Sequence, residues 1–307
     1  MTLQQLRYIV ALDQHRHFAT AAKECRVTQP TLTMQVKKLE SEMGVLLFDR
    51  SKYPLEPTPT GNLILSKARE ILQQSESLFQ FVRGVHTEID GNFKIGVIPT
   101  IAPYLLPRFL PKMAEQAPST HLNIIEMQTE RIIESLQDGS IDIGILVTPL
   151  DEHSIREIPL FKEPFLIYSK EDIDKGERTP KDLPKSGLLL LEEGHCFRSQ
   201  ALEICNRDAR SPMESFSYES GSIESLKALV REGMGYTLVP ALSTRNEDEG
   251  YLHRFKSPVP VREVSLAVHN SFARERLLEV LRNAVLDSVP EEMRSAENYY
   301  KVRWRQL

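Results

Sequence analysis

A change of period divides this chain and limits what it can become. Ile64, Ala68, Ile71, Ser75, Leu78, Val82, Val85 and Ile89 follow one another at spacings of 4, 3, 4, 3, 4, 3 and 4 residues. This is a heptad seam of about three and a half repeats, and it predicts one long helix over residues 62–90. Leu65, Leu72 and Phe79 form a flanking row. At 1.5 Å per residue such a helix reaches roughly 43 Å. Its stripe either pairs with a second copy of the chain or packs on the helix's own domain, and Gly84 interrupts it. On the first alternative Ile64, Ala68, Ile71, Leu78, Val82 and Val85 are the dimerisation residues. Asp90-Gly91-Asn92 ends the pattern. The chain is therefore a small part before the helix, over 1–61, and a large part after it, over 91–307.

The small part reads as three short helices. Leu3, Leu6 and Val10 mark the first, and Phe18, Ala21, Ala22 and Cys25 the second. Thr28 is a plausible N-cap, with Pro30 in the first turn of a third helix. Leu32, Val36, Leu39 and Met43 give that helix its buried stripe, and Gly44 closes it. The last two helices are joined by a short turn around Val27, the pattern of a helix-turn-helix. The segment VLLFDRSKYPLEPTPTG carries three prolines, which bar a central strand or a continuing helix, so it reads as a two-stranded wing.

After Asp90 short β-branched runs alternate with helices. FKIGVIP, HLNIIEM, IDIGILV, FLIYS, GLLLLEEG, FSYES, YTLVPA and VSLAVH read as strands. PRFLPKMAE, ERIIESLQDG, Arg198–Asn206, IESLKALVREG and a long segment from Arg274 read as helices. The alternation predicts an open, mostly parallel α/β sheet. The tail NYYKVRWRQL is expected to be a surface helix and receives no role.

The 307 residues are 41% hydrophobic and 26% charged, which excludes disordered, collagen-like and disulfide-dense classes. Thirteen residues without a formal charge lie between Lys94 and Arg108, three of them proline, too few for a membrane span. The opening MTLQQLRYIV is no secretory signal, and a cytoplasmic protein is expected. Net charge is −5, split between +2 over residues 1–61 and −7 beyond. A slightly basic head on an acidic body suits a DNA-binding module joined to another function. Three cysteines, Cys25, Cys196 and Cys205, give neither a disulfide framework nor CxxC spacing. GxxxxGK[ST] and HExxH are absent, and no metal or other cofactor is expected.

The stretch FATAAKECRVTQPTLTMQVKKLESEMGVLLFDR, followed by PTPTG, resembles the winged helix-turn-helix of LysR-type transcriptional regulators. The resemblance extends over essentially the whole chain. It implies a linker helix and a two-lobed, periplasmic-binding-protein-like α/β effector domain. Lobe I would hold about 91–162 and 268–307, and lobe II about 163–267. The second helix of such a motif meets base edges in the major groove with its N-terminal residues. Here those are Gln29, Pro30, Thr31, Thr33 and Gln35. Gln bonds adenine, and Thr offers a hydroxyl or a methyl. Lys37, Arg50 and Lys52 are expected at phosphates or an adjacent minor groove.

IPTIAPYLLPRFLP, MQTERIIESL and GHCFRSQALEIC are similar to the hydrogen-peroxide-sensing members of that family. The resemblance implies that Cys196 is the peroxidatic thiol and Cys205 the resolving thiol. It further implies that Thr100, Thr129, His195 and Arg262 belong to the peroxide site. Cys196 falls where a helix should begin, and amides and dipole there favour an anion. Arg198 adds a candidate positive charge. If 196–205 is one helix, its ends lie ~13 Å apart. A disulfide needs Cα atoms within about 7 Å, so closure must unwind the segment. The ordinary alternatives are inert core thiols, Thr100 in a turn, Thr129 as an N-cap and Arg262 as a surface charge. Cys25 is expected to be a small core residue.

The implied function is a peroxide-responsive regulator. Its partners would be double-stranded operator DNA, hydrogen peroxide, further copies of itself as a homodimer or homotetramer, and RNA polymerase. The alternative within the family is a regulator that answers a small metabolite held between the lobes. A cysteine peroxidase is disfavoured, because an enzyme has no need of the DNA module.

Overall fold

A computed structural model describes the chain except residues 85–88, 171–176, 185, 207–219, 296 and 306–307. Contacts divide it into two compact units, the first built on Met1–Thr87 and the second on most of Glu88–Leu307.

The first unit opens with α1 (Leu3–His15), α2 (Phe18–Glu24) and α3 (Gln29–Met43). Thr28 caps α3 by accepting from the Thr31 amide, Pro30 lies in its first turn, and Gly44 closes it at φ +71°. The caps are those expected. Strands β1 (Phe48–Asp49) and β2 (Glu56–Pro57) pair antiparallel as the wing. The long helix α4 (Pro59–Gly84) follows at once. A Cβ on Gly61 would stand 2.1 Å from the Leu47 carbonyl oxygen, so only glycine lets α4 start this close to the wing.

Leu6, Ile9, Leu12, Leu32, Val36 and Leu39 form the core of the head. Leu65 and Ala68 of α4 belong to that core, and Ile64 and Leu72 pack on it. Asp13 of α1 pairs with Arg69 of α4 and reinforces the joint. This corrects part of the dimerisation set. Ala68 is buried inside its own unit and has no surface left to offer a second copy. Ile64 is half-spent in the same way. Ile71 and Leu78 are exposed. Val85 and the side chain of Val82 lie outside the described residues.

The second unit begins with β3 (Gly91–Val97), α5 (Ala102–Gln116), β4 (Thr120–Glu126), α6 (Thr129–Gln137) and β5 (Ile143–Thr148). It continues with β6 (Ile155–Ser169), α7 (Cys196–Cys205), α8 (Ile223–Arg231), β7 (Tyr236–Pro240) and β8 (Leu252–His253). The chain ends with β9 (Val259–His269), α9 (Glu275–Ser288), α10 (Glu291–Arg294) and β10 (Tyr299–Lys301). The strand order is β4-β3-β5-β9-β6-β7, with β8 beside β6 and β10 beside β9.

This sheet is mixed rather than mostly parallel. β3 runs parallel to β4 and β5, whereas β9 is antiparallel to both β5 and β6, and β6 to β7. The reason is that β6 and β9 are long antiparallel partners, paired from Ile155–His269 to Pro164–Val261 with a register shift between Pro159 and Phe161. The expected strand FLIYS is only the far end of β6. The expected strand GLLLLEEG makes a single bridge, Leu188 to Tyr236. FSYES lies, apart from Ser220, outside the described residues.

The tail is not a surface helix. β10 adds in parallel to β9, Val302 is fully buried, and the Trp304 indole donates to the Pro149 carbonyl at 2.8 Å. One core gathers Phe165, Ile167 and Leu238 of the sheet with Phe197, Ala201, Ile204 and Cys205 of α7, and with Val302.

Candidate functional site

The exposed side of α3 is the first candidate surface. Gln29, Pro30, Thr33, Met34 and Lys37 line one shallow groove. Three other residues expected here are differently engaged. Thr31 shares a 2.8 Å hydroxyl hydrogen bond with Thr28 at the cap. Gln35 accepts from the Gln5 side chain of α1 at 3.2 Å. Arg50 is tied at 2.7 Å to Glu40, and its guanidinium lies 5.7 Å from the centre of the Phe18 ring. Glu40 is buried and also accepts the Leu47 amide at 2.9 Å. Arg50 thus joins α3 to the wing, and its charge is already neutralised. Lys52 is exposed and pairs with Glu56 across the wing.

The second candidate site lies where α7 begins. His195 is the N-cap, and Cys196 is the first helical residue. Gly194 delivers the chain there at φ +90°, where a Cβ would also meet Gln128 at 2.7 Å. All three cysteines are unbridged. Burial pushes the Cys196 thiol up from its ordinary pKa. The Thr129 hydroxyl, the nearby Arg262 charge and the amides of Cys196 and Phe197 act in the opposite direction. The expected helix-start amides do favour the thiolate, but the expected cation Arg198 does not contribute, and desolvation outweighs them, so the niche as a whole disfavours the thiolate. Thr129 is the first residue of α6, and its buried hydroxyl, which bonds no nitrogen or oxygen among the described residues, favours the Cys196 thiolate.

Arg262 projects from β9 and is 1% exposed, so it is no surface charge. Its Nε donates to Glu163 at 2.9 Å, one terminal nitrogen to the Thr100 hydroxyl at 2.9 Å, and the other to the Thr100 carbonyl at 3.0 Å. Its guanidinium carbon lies 5.5 Å from the centre of the Phe197 ring, one residue after Cys196. Thr100, Thr129, Cys196 and Arg262 thus converge from β9, α6, α7 and the turn before α5. Two expected members have other polar partners, although both line the cleft beside Cys196. The His195 ring approaches Glu192 at 3.4 Å, and Arg198 donates to the Leu191 carbonyl at 2.8 Å. The cation felt by the thiol is Arg262. An open cleft of about 970 Å³ reaches Cys196, with His195, Arg198, Arg303 and Trp304 in its walls.

Cys205 is the last residue of α7 and is buried in the same core. The helix is continuous across its 10 residues, which keeps the two sulfurs at opposite ends. Among the described residues no group of His, Cys, Asp and Glu is arranged to hold a metal ion, and no helix is long and apolar enough to cross a membrane.

Residues 3–62 match the bacterial regulatory helix-turn-helix protein, lysR family, and residues 86–290 match the LysR substrate binding domain. The chain belongs to the LysR family of transcriptional regulators. A hydrogen peroxide-inducible genes activator of Pectobacterium carotovorum is 37% identical over 87% of this chain and 89% of its own length. A full-length OxyR variant of Pseudomonas aeruginosa superposes with a TM-score of 0.79 at 36% identity, covering 94% of this chain and 99% of that one. An H2O2-bound OxyR mutant of Corynebacterium glutamicum gives 0.61 at 30% identity, over 94% and 92%. These LysR relatives are DNA-binding regulators, not enzymes.

Three residues of this LysR protein escaped the sequence reading. Met34 stands in the α3 groove between expected contacts, and an exposed Met on a recognition helix was the available signal. Glu40 and Glu163 carry buried charge that fixes Arg50 and Arg262. Nothing local marks them, because each partner is distant in sequence.

Proposed function

We propose that this protein is a peroxide-responsive regulator of the OxyR type, working as a cytoplasmic homo-oligomer on double-stranded operator DNA and acting on RNA polymerase. The observation that carries the reading is Cys196 at the start of α7, beside the Thr129 hydroxyl and Arg262, with Cys205 at the other end of the same helix. The Cys196 thiolate attacks one oxygen of hydrogen peroxide. The O–O bond breaks, hydroxide leaves and takes a proton as water, and Cys196 becomes a sulfenic acid. The Cys205 thiolate then attacks that sulfur, the S–O bond breaks, and the departing hydroxide takes up the proton that the Cys205 thiol released and leaves as a second water. The product is a Cys196–Cys205 disulfide. Thr129 and Arg262 stabilise negative charge through the first step. Closure unwinds α7 and reshapes the effector domain, which alters how the DNA heads are held. Two heads give two half-sites and enough phosphate contacts for useful affinity.

Arg262 is buried, paired with Glu163 and bonded twice to Thr100, which weighs against its serving as the anchor of an acidic metabolite. Peptide mass spectrometry after stoichiometric peroxide tests the proposal, run beside Cys196→Ser and paired with footprinting on DNA. A Cys196–Cys205 link in the parent, absent in the variant and accompanied by a changed footprint, is expected. Free thiols on a protein that still binds DNA would sink the peroxide reading and favour a small-molecule effector.

A further inference from the structure

The C-terminal segment is woven onto the helix that bears both cysteines. Gln200, at the middle of α7, is fully buried. Its amide nitrogen donates to the Val302 carbonyl at 2.9 Å, and its own oxygen has no partner among the described residues. Val302 is anchored in turn, its amide donating to the Val261 carbonyl of β9 at 2.9 Å. The Val302 side chain shares one core with Phe197, Ala201, Ile204 and Cys205. Tyr300 packs on that core, where burial first and nearby Glu203 second push its phenol up from its ordinary pKa.

The segment is fixed at both ends. Before Val302, Lys301 pairs with Glu263 of β9, and the Lys162 ammonium sits 4.1 Å from the centre of the Tyr299 ring. After it, the Trp304 indole is held by the Pro149 carbonyl, and Arg305 pairs with Glu130 of α6 at 3.3 Å. Residues 299–305 therefore run from β9, along α7, to the elements that carry Thr129. An ordered strap on this path has a consequence. Unwinding α7 breaks the Gln200–Val302 hydrogen bond and takes Phe197, Ala201, Ile204 and Cys205 out of the core that holds Val302.

We propose that residues 299–305 form a strap that positions α7 and slows the closing of the Cys196–Cys205 disulfide, and so sets the peroxide dose at which the protein switches. The inference rests on the disulfide chemistry proposed above. The step it restrains is the second one, in which the Cys205 thiolate displaces the sulfenic hydroxyl of Cys196 as water. The first step needs no unwinding and is left alone. Gln200 and Trp304 are positioning residues here, since neither touches the reacting atoms in the hydrogen bonds it makes.

Two full-length variants test this from opposite ends of the strap. Gln200→Met keeps length and packing but removes the amide donor. Trp304→Phe keeps a ring in the cleft wall but removes the donor to the Pro149 carbonyl. Hydrogen exchange of the reduced protein reports on the helix directly, and each variant is expected to raise exchange at the amides of 199–205 about five-fold, the weight of one net hydrogen bond. Quenched-flow mass spectrometry is expected to show the disulfide closing about five-fold faster. Dimedone labelling in a Cys205→Ser background should give an unchanged rate of sulfenic acid formation. Faster exchange with an unchanged closing rate would overturn the strap as a brake. Unchanged exchange would overturn it as a restraint of any kind. A parent chain that never forms the link fails at the earlier proposal and takes this one with it, a result distinct from equal closing rates in parent and variants.

Discussion

Cys196 and Cys205 are the first and last residues of one unbroken helix, and both are buried. The ~13 Å that α-helical rise puts between their backbones cannot be spanned by a disulfide. Oxidation and an intact α7 exclude one another. After peroxide, amides 197–204 of the parent chain are expected to lose exchange protection, while those of Cys205→Ser keep it. Protection that survives in a disulfide-linked parent would show that the chain bends elsewhere.

The reactivity of Cys196 is set by a contest between burial, which raises its pKa, and the Thr129 hydroxyl, Arg262 and helix amides, which lower it. Burial dominates, so the thiolate is scarce at neutral pH. The rate of sulfenic acid formation should climb about ten-fold per pH unit and not level off below the ordinary thiol value of ~8.5. Thr129→Val removes a bond that only the thiolate gains from. It should slow the reaction about ten-fold and move the profile to higher pH. Thr129→Ser should restore it. Stopped-flow peroxide consumption across pH checks all three, and a plateau at neutral pH would contradict them.

On the head, Lys37 and Arg50 are two cations with different duties. Lys37 lies open in the α3 groove. Lys37→Ala should lower DNA affinity for all sequences alike and reduce the slope of log K against log salt by about one. Arg50 is committed to Glu40, which is buried with two amides aimed at it. Arg50→Ala should cost stability, about 1–2 kcal/mol for a pair with one partner partly exposed. Thermal melts beside fluorescence titrations with DNA separate the two effects.

Along α4, Ile71 and Leu78 stand one heptad apart and are 41% and 65% exposed, large apolar side chains on open surface. Leu78→Glu should shift the protein toward monomer in sedimentation experiments and leave the melt of the head unchanged. Ala68→Glu should unfold the head instead, because Ala68 is packed inside it. A Leu78→Glu protein that sediments like the parent would remove α4 from the interface.

Legibility in the sequence followed locality. Thr28, Pro30 and Gly44 announced α3, because caps act within one turn. The helix expected over Arg198–Asn206 is α7, which starts two residues earlier, at Cys196, with no side-chain cap to mark the place. What failed was set by distant partners. Periodicity shows that β6 and β9 are strands and says nothing of their sense, so a mixed sheet was read as mostly parallel. GLLLLEEG is apolar because it is buried beside β7, not because it is paired along its length. Gln35 and Arg50 have the composition of DNA contacts, yet Gln5 and Glu40 engage them from elsewhere in the chain. Arg262 looks like a surface charge until Glu163, 99 positions away, is placed beside it. The heptad seam was legible as a helix, while the division of its faces between the head and open surface was not.

Asp248 offers a test of the second unit that is independent of the cysteines. It is fully buried and accepts from Lys227 at 2.7 Å, Arg231 at 2.8 Å, Tyr168 at 2.9 Å and the Arg245 amide at 2.9 Å. Burial raises its pKa, but these donors prevail and hold it at about 2. A carboxylate depressed in the folded state contributes stability that is complete above its unfolded value of ~3.9 and disappears as pH falls through the folded value. Asp248→Asn leaves the buried Lys227 ammonium only the longer, half-exposed pairing with Glu224 at 3.4 Å and should cost about 3–5 kcal/mol at neutral pH. The gap between parent and variant in urea unfolding should be constant down to about pH 4 and narrow toward pH 2, as the parent loses the charge that the variant never had. A gap that stays constant across that range would mean that Asp248 acts through packing and neutral hydrogen bonds, and that its charge is not what Lys227 and Arg231 require.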